Sequence, residues 1–133
     1  EPTCGKLVVN FDKKMSEFFS SYYVTYETKA LAAAGTECRW AKDDTEPWYV
    51  KLDAAGEVVK ATVHYTVKSS NKEGTQVLTY KTTDGVEKMM PNKSWTLNIS
   101  PKDNNGSLSI TITIDENTND RPIEIVVPTD WLN

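Results

Sequence analysis

The sequence predicts an all-β fold, an immunoglobulin-like antiparallel β-sandwich of about eight to ten short strands. Three observations lead to this prediction. Polar and apolar residues alternate strictly from 107 to 114, as in a strand with one wet and one buried face. Clusters of turn residues separate this run from others like it. The composition includes four Trp, six Tyr and three Phe beside many Val, Ile and Thr residues, which favour pleated sheets.

Three predicted strands close the chain as a meander. Residues 95–99 alternate like 107–114, and the segment between them ends in Asn105-Gly106, a pair that can adopt the positive φ angles of a tight turn. After a polar connection at 115–120, Pro122 opens the last strand, and a proline is tolerated at the first residue of a strand. The first two runs are therefore expected to form a hairpin.

The N-terminal part is expected to supply strands at 7–11, 21–27 and 38–40. The segment 12–19 is compatible with either a helical turn or a loop. The alanine-rich segment 29–34 is followed at once by glycine, and a helix so short is marginal in isolation. We therefore expect a strand end and a turn there.

A second hairpin is predicted in the middle of the chain. Residues 48–52 and 58–67 alternate, and the odd-numbered residues of the second run, from Val59 to Val67, share one apolar face. The intervening segment 53–57 has the length of a hairpin turn and contains Gly56. Shorter strands are expected at 75–81 and 86–89.

Length and charge restrict the class of protein. A chain of 133 residues without an obvious linker is expected to form a single domain, 1–133, and a monomer. The net charge of -4 gives little positive potential for binding phosphates, so a nucleic-acid partner is not expected. No apolar run is long enough to cross a bilayer, and a start without Met is expected of a mature or trimmed chain.

The sequence contains only two cysteines, Cys4 and Cys38. Together with the single histidine they are too few for a metal site of known spacing. We expect a disulfide, because an extracytoplasmic setting is indicated below. Two unrelated buried thiols are the alternative.

No pattern in the sequence predicts catalysis or a cofactor. His64 is expected on the solvated face of its strand, with no nucleophile or carboxylate placed beside it by sequence. Phosphate-binding loops, nucleophile elbows and metalloprotease motifs are absent. The acidic loops 43–46 and 115–120 offer oxygen atoms of the kind that Ca²⁺ binds, but acidic turns without ligands are the simpler interpretation, and no metal is predicted.

Aromatic residues are the candidates for ligand binding. Trp48 and Trp95 fall on the apolar phase of their strands and are expected in the core. Trp40, Tyr49 and Trp131 are expected to be exposed, and exposed rings would mark a surface that binds a glycan or a protein. The alternative for Trp131 is that it folds back over one end of the core.

The C-terminal part resembles a known family. Residues 94–101, a turn with Gly106, the alternating strand and residues 116–127 are similar to the C-terminal half of BACON-type immunoglobulin-like domains. Those domains have a Trp strand ending in a Ser-Pro turn, a Gly-containing hairpin, an Asn-Thr turn and a final alternating strand. The resemblance covers about a third of the chain.

This resemblance implies a non-catalytic module of secreted or surface proteins of Bacteroidetes, attached to carbohydrate-active enzymes and binding glycans or mucin. We therefore expect an extracytoplasmic binding, adhesion or spacer module at a bacterial cell envelope, with a glycan or protein partner and no enzymatic activity. A lipid anchor attached through a preceding N-terminal segment is compatible with this setting. The alternative is a small up-and-down β-barrel that binds an apolar ligand.

Overall fold

The structure is a computed structural model that describes residues 3–82, 84–114 and 122–133. None of the helices in these ranges is both long and apolar enough to cross a membrane. Nine strands are described: β1 Cys4–Phe11, β2 Phe19–Glu27, β3 Cys38–Ala41, β4 Trp48–Lys51, β5 Lys60–Val67, β6 Glu73–Thr79, β7 Ser94–Asn104, β8 Ser107–Ile114 and β9 Ile123–Val126. The short helices are α1 Met15–Phe18, α2 Lys29–Ala34 and a 3₁₀ helix at Thr129–Leu132.

The strands form two sheets that pack face to face. The five-stranded sheet has the order β4-β1-β7-β8-β9, and the four-stranded sheet has the order β3-β2-β5-β6. All pairs are antiparallel except β1 with β7, which is parallel. The predicted all-β sandwich is confirmed. The barrel alternative is wrong, because the two sheets have separate edges and do not close on each other.

The core lies between the sheets and follows the alternation of the sequence. Leu108, Ile110 and Ile112 of β8 are buried, and so are the odd-numbered residues from Val59 to Val67. The hairpin between β7 and β8 is also confirmed. Its turn has φ angles of 47° at Asn105 and 89° at Gly106, which suit the twist of the flanking strands. The polar connection predicted at 115–120 lies outside the described residues.

The predicted hairpin between residues 48–52 and 58–67 is wrong. β4 pairs with β1 in the five-stranded sheet, whereas β5 pairs with β2 and β6 in the four-stranded sheet. The segment between them is a loop closed by Glu57, whose carboxylate accepts hydrogen bonds from the backbone N–H groups of Asp53 and Lys29, both at 2.9 Å. The strand predicted at 86–89 is reduced to an isolated bridge between Met89 and Glu57.

The turn predicted at residues 29–34 is instead helix α2. Thr28 caps its first turn by accepting a hydrogen bond from the N–H of Leu31 at 3.2 Å. Gly35 ends the helix in the left-handed region, at φ 65°. These caps, with the Glu57 carboxylate at the first N–H of the helix, stabilise a segment that is marginal in isolation.

The predicted disulfide is not formed, and both cysteines are free. Cys4 is the first residue of β1 in the five-stranded sheet. Cys38 lies on β3 of the other sheet, opposite Tyr26 of β2. Burial raises the pKa of the Cys38 thiol to about 12. This thiol therefore stays protonated and unreactive at neutral pH.

Candidate binding site

The connection between β3 and β4, residues 42–47, crosses from the edge of one sheet to the edge of the other. A compact turn fixes its start: Asp44 donates its N–H to the carbonyl of Ala41 at 3.1 Å, and its carboxylate accepts the N–H of Ala41 at 2.7 Å. β4 begins opposite Leu7. In the described part of the chain, the rest of β1 therefore has no strand on that side, and the sandwich is open along this edge.

Two clefts adjoin along this open edge, and a third adjoins them across the end of β1, where β7 and β8 continue the sheet. We call the three the edge clefts. The first has a volume of about 460 Å³ and lies between Arg39, Glu46 and Trp48. The second, about 400 Å³, shares Asp43, Asp44 and Thr45 with the first. The third, about 270 Å³, shares Asn10 and Phe11 with the second. The third cleft is also lined by Asp12 and Asn98, and the second by Trp40 and Lys42.

The edge clefts combine hydrogen-bonding side chains with two half-buried rings. Trp48 lines the first cleft, and Phe11 lines the other two. Phe11 is held by an edge contact with Tyr22, whose ring centre lies 4.9 Å away. In the third cleft the side-chain amide of Asn10 donates to Oδ1 of Asn98 at 3.0 Å. Paired amides and carboxylates beside exposed ring surface can bind a ligand that has both hydroxyl groups and an apolar face.

The charge at the edge clefts is predominantly negative. The carboxylates of Asp12, Asp43, Asp44 and Glu46 line them, against the cations Arg39 and Lys42. Burial and, to a smaller extent, the charge of Asp43 raise the pKa of Tyr22, which lies beneath the second cleft through its contact with Phe11. Such a surface favours neutral or cationic ligands over anionic ones.

The expected exposure of Trp40 is wrong, because only 2% of this residue is accessible. Cys38 and Trp40 both point from β3 into the core, and Trp40 is opposite the buried Val24 of β2. Trp40 borders the second edge cleft from the core side. It therefore supports the cleft but has almost no surface on which a ligand could stack.

Tyr49 and Trp131 do not join Trp40 in one cluster. Tyr49 is 62% exposed and lies on the outer face of β4, opposite Lys6, outside the edge clefts. Trp131 is half-buried in the 3₁₀ helix and packs on the core, with its ring centre 6.3 Å from that of Tyr65. The alternative in which Trp131 folds back over the core is confirmed.

Sequence reasoning missed most residues of the edge clefts. Trp95 is buried as expected, but Trp48, also expected in the core, is only half-buried and faces the first cleft. Its position directly after the acidic loop and Pro47 is the feature of the sequence that could have indicated this partial exposure. Asn10 and Asn98 are 88 residues apart, and only the parallel pairing of β1 with β7 brings them together.

No group of three or more His, Cys, Asp or Glu side chains in residues 3–82, 84–114 and 122–133 is placed to share a metal ion. The first acidic loop therefore gains no support as a calcium site. The second, at 115–120, lies outside the described residues.

His64 lies on the outer face of the four-stranded sheet in a stack of three side chains. Its ring is parallel to that of Tyr23, with centres 4.3 Å apart, and the Arg39 guanidinium lies 4.0 Å from the centre of the Tyr23 ring. β3 and β5 flank β2, so Arg39 and His64 cover opposite faces of Tyr23. Thr25 Oγ1 is 2.9 Å from Nε2 of His64. His64 is therefore a packed side chain, not the freely solvated one expected.

We expect acid to destabilise the protein through His64. Burial, and then the positive charge of Arg39, lower the pKa of His64 below its ordinary value of 6.5. The unfolded chain therefore binds a proton more readily than the folded one, and the free energy of unfolding should fall as the pH drops below about 6.5. Urea unfolding between about pH 8 and pH 5, above the range of most carboxylates, measures this. The His64→Gln variant should show a flatter profile, and an equally steep one would contradict the prediction.

A fourth cleft, which we call the apolar cleft, lies beside α1 and has a volume of about 510 Å³. Its apolar lining consists of Phe18, Val67, Leu108 and Leu132. Glu17, Lys68 and Asp103 contribute charges of both signs to the same lining. It is larger than each of the edge clefts.

Comparison with known proteins identifies a family but no activity. No curated protein and no solved structure matches the chain. One family profile, described as a domain of unknown function (DUF4493), matches residues 1–129. The resemblance to BACON-type domains is therefore not confirmed at the level of family. Because the match spans nearly the whole sequence, the chain belongs to the DUF4493 family.

Proposed function

We propose that this domain is a non-catalytic carbohydrate-binding module whose ligand occupies the edge clefts. The observation that carries the proposal is the row of three adjoining clefts. Carboxylates and the Thr45 hydroxyl line the first cleft beside the half-buried ring of Trp48, and the side-chain amides of Asn10 and Asn98 line the third. The clefts are elongated as a set, which suits an oligosaccharide rather than a single sugar.

The chemistry of a sugar matches this lining. Adjacent hydroxyl groups on a pyranose ring donate to carboxylates such as Asp43 and Glu46, and accept from amides such as Asn10. The C–H face of the ring is apolar and packs on an indole such as that of Trp48. The first two clefts, at about 460 and 400 Å³, fall within the usual range for small-ligand sites.

The charge of the clefts narrows the ligand class. The acidic side chains around the first two clefts would repel sulfated, sialylated or uronic acid sugars. The ligand we propose is a neutral oligosaccharide. A non-catalytic role is supported by the position of His64, which packs against Tyr23 and Thr25 and does not line the edge clefts.

We further propose that the module works outside the cytoplasm, at a bacterial cell envelope. The resemblance of residues 94–127 to modules of secreted Bacteroidetes proteins supports this setting, and glycans are the partners available there.

Titration with neutral and with uronic acid oligosaccharides, followed by calorimetry and backbone amide NMR, tests the proposal. We expect neutral oligosaccharides to bind, with shifts at residues 42–48, and uronic acid chains to bind at least about tenfold more weakly. Asp43→Asn and Glu46→Gln should each weaken binding of the neutral ligand by about tenfold.

Tyr49→Ala is the matched control, because it removes an exposed ring on the strand of Trp48 but on the opposite face. Binding that is lost in Tyr49→Ala and unchanged in Glu46→Gln would place the ligand on the outer face of the five-stranded sheet. That result, or the absence of binding by a panel of plant, fungal and mucin-type neutral glycans, would contradict the proposal.

A second candidate function is supported by the apolar cleft. Phe18, Val67, Leu108 and Leu132 form an apolar lining at the end of the sandwich, so an apolar ligand does not require the barrel that the structure lacks. Displacement of a fluorescent hydrophobic probe tests this candidate. If Leu132→Asp leaves binding of the probe unchanged, this second candidate function is contradicted.

A further inference from the structure

The four-stranded sheet ends on β6, which is the longest edge strand among the residues that the structure describes. β6 has seven residues, whereas the other edge strands, β3, β4 and β9, have four each. β6 pairs with β5 on one side. In the described ranges of the chain, no strand lies on its other side.

The edge of β6 lacks the features that normally prevent pairing between strands. Folded proteins protect such edges with lysines, prolines, bulges or short length. The short edges carry Arg39 in β3, Lys51 in β4 and Glu124 in β9. β6 contains no proline, and its single charge, Glu73, is at its first residue. Val77 in the second half of the strand is 52% exposed.

The hydrogen bonds to β5 show which backbone groups of β6 are turned outward. Val67 donates to the carbonyl of Lys72 at 2.8 Å, and Tyr80 donates to the carbonyl of Val59 at 3.0 Å. Even-numbered residues of this segment therefore bond to β5, and the odd-numbered residues of β6 direct both N–H and C=O to the open side. These residues are Glu73, Thr75, Val77 and Thr79. The outward carbonyl of Val77 accepts a hydrogen bond from the side-chain amide of Gln76 at 3.2 Å.

We propose, in place of the monomer expected from the sequence, that β6 pairs with β6 of a second copy of this chain, antiparallel and about a two-fold axis at Gln76. In this register Glu73 is opposite Thr79 of the second copy, and Thr75 is opposite Val77. All four outward-facing residues of each strand then fall in hydrogen-bonded pairs. The two four-stranded sheets become one continuous eight-stranded sheet.

The register is self-complementary in charge and in side-chain type. The single charge of each strand meets a threonine, so no like charges are opposed. Thr75 and Val77 form cross-strand pairs of β-branched residues, which are favourable in sheets. In the single chain the Gln76 side chain donates to the carbonyl of Val77. In the dimer it lies beside Gln76 of the second copy, and the two amides can bond to each other. A dimer of this kind leaves both sets of edge clefts open, because β3 is at the opposite edge of the sheet.

Sedimentation equilibrium over a wide concentration range tests the proposal. We expect a reversible dimer, because a single strand pair buries less surface than a standard interface. Val77→Lys places a charge in the centre of the paired edge and should raise the dissociation constant by at least about tenfold. Val126→Lys is the matched control, since Val126 is a 71% exposed valine on the edge strand β9, and this variant should dimerise like the wild type.

A cross-link tests the register. Gln76 of each copy is in a non-hydrogen-bonded pair on the axis, where Cα atoms are about 4.5 Å apart and a disulfide can form. In a Cys4→Ser background, Gln76→Cys should form a covalent dimer under mild oxidation, and Thr75→Cys should do so much more slowly. A monomer at all concentrations, an equal effect of Val77→Lys and Val126→Lys, or equal cross-linking by both cysteine variants would overturn the proposal.

Discussion

Replacing Trp40 with alanine is expected to destabilise the domain by about 3–5 kcal/mol. Trp40 is one of the largest fully buried side chains of the core, and it lies where β3, β2 and the second edge cleft meet. The substitution removes a buried indole and leaves a cavity that the two packed sheets cannot collapse to fill. Urea unfolding monitored by circular dichroism measures the loss.

Tyr49→Ala is the control for this prediction, because it also removes an aromatic ring but from an exposed position on an edge strand. We expect its free energy of unfolding to stay within about 0.5 kcal/mol of the wild type. The sequence predicts both residues as exposed, ligand-binding aromatics. Comparing the two variants therefore distinguishes an aromatic residue that stabilises the core from one that lies on the surface. Similar stability losses in the two variants would show that the burial described for Trp40 is incorrect.

The strands of the fold were predictable because burial acts locally on the sequence. Each strand of a two-layer sandwich has one face against the core, so alternation in β5 and β8 directly reports the position of the core. Which strands pair with each other cannot be read from alternation, because it depends on contacts between distant segments. Residues 48–52 and 58–67 have the alternation of a hairpin, yet the connection between them crosses from one sheet to the other.

Helix α2 and the edge clefts could not be predicted for a related reason. The helix depends on the Glu57 carboxylate, which is 28 residues away from its partner Lys29 in sequence. The first two clefts exist because β4 begins opposite Leu7 and leaves the end of β1 uncovered, and the third depends on the pairing of β1 with β7. Both are pairings between segments that are distant in sequence. Trp48 was assigned correctly to the apolar phase, but its place at the end of a short edge strand exposes part of its ring.

The Glu57 carboxylate is also the basis of the second large effect. Glu57 is 4% exposed, yet its two carboxylate oxygens each accept a backbone N–H, from Asp53 and from Lys29, at 2.9 Å. Its own backbone pairs with Met89. One residue therefore ties three segments: its side chain binds the segment after β4 and the start of α2, and its backbone binds the segment that leads to β7. Removal of the carboxylate would leave two N–H donors without an acceptor in a site that water reaches poorly.

We expect Glu57→Ala to lower the free energy of unfolding by about 3–6 kcal/mol, because it removes two hydrogen bonds to a charged group, each of which contributes about 1.5–3 kcal/mol. Glu57→Gln retains one acceptor and should show about half of this loss. Lys29→Ala is the control: it breaks the exposed ion pair with Asp53 but retains the backbone N–H that Glu57 binds, and its stability should equal that of the wild type. Amide hydrogen exchange locates the effect, since the N–H groups of Lys29 and Asp53 should both lose protection in Glu57→Ala, whereas only one of them should in Glu57→Gln. Unchanged protection at these two amides would mean that Glu57 does not anchor the loop, because exchange reports each N–H separately from global stability.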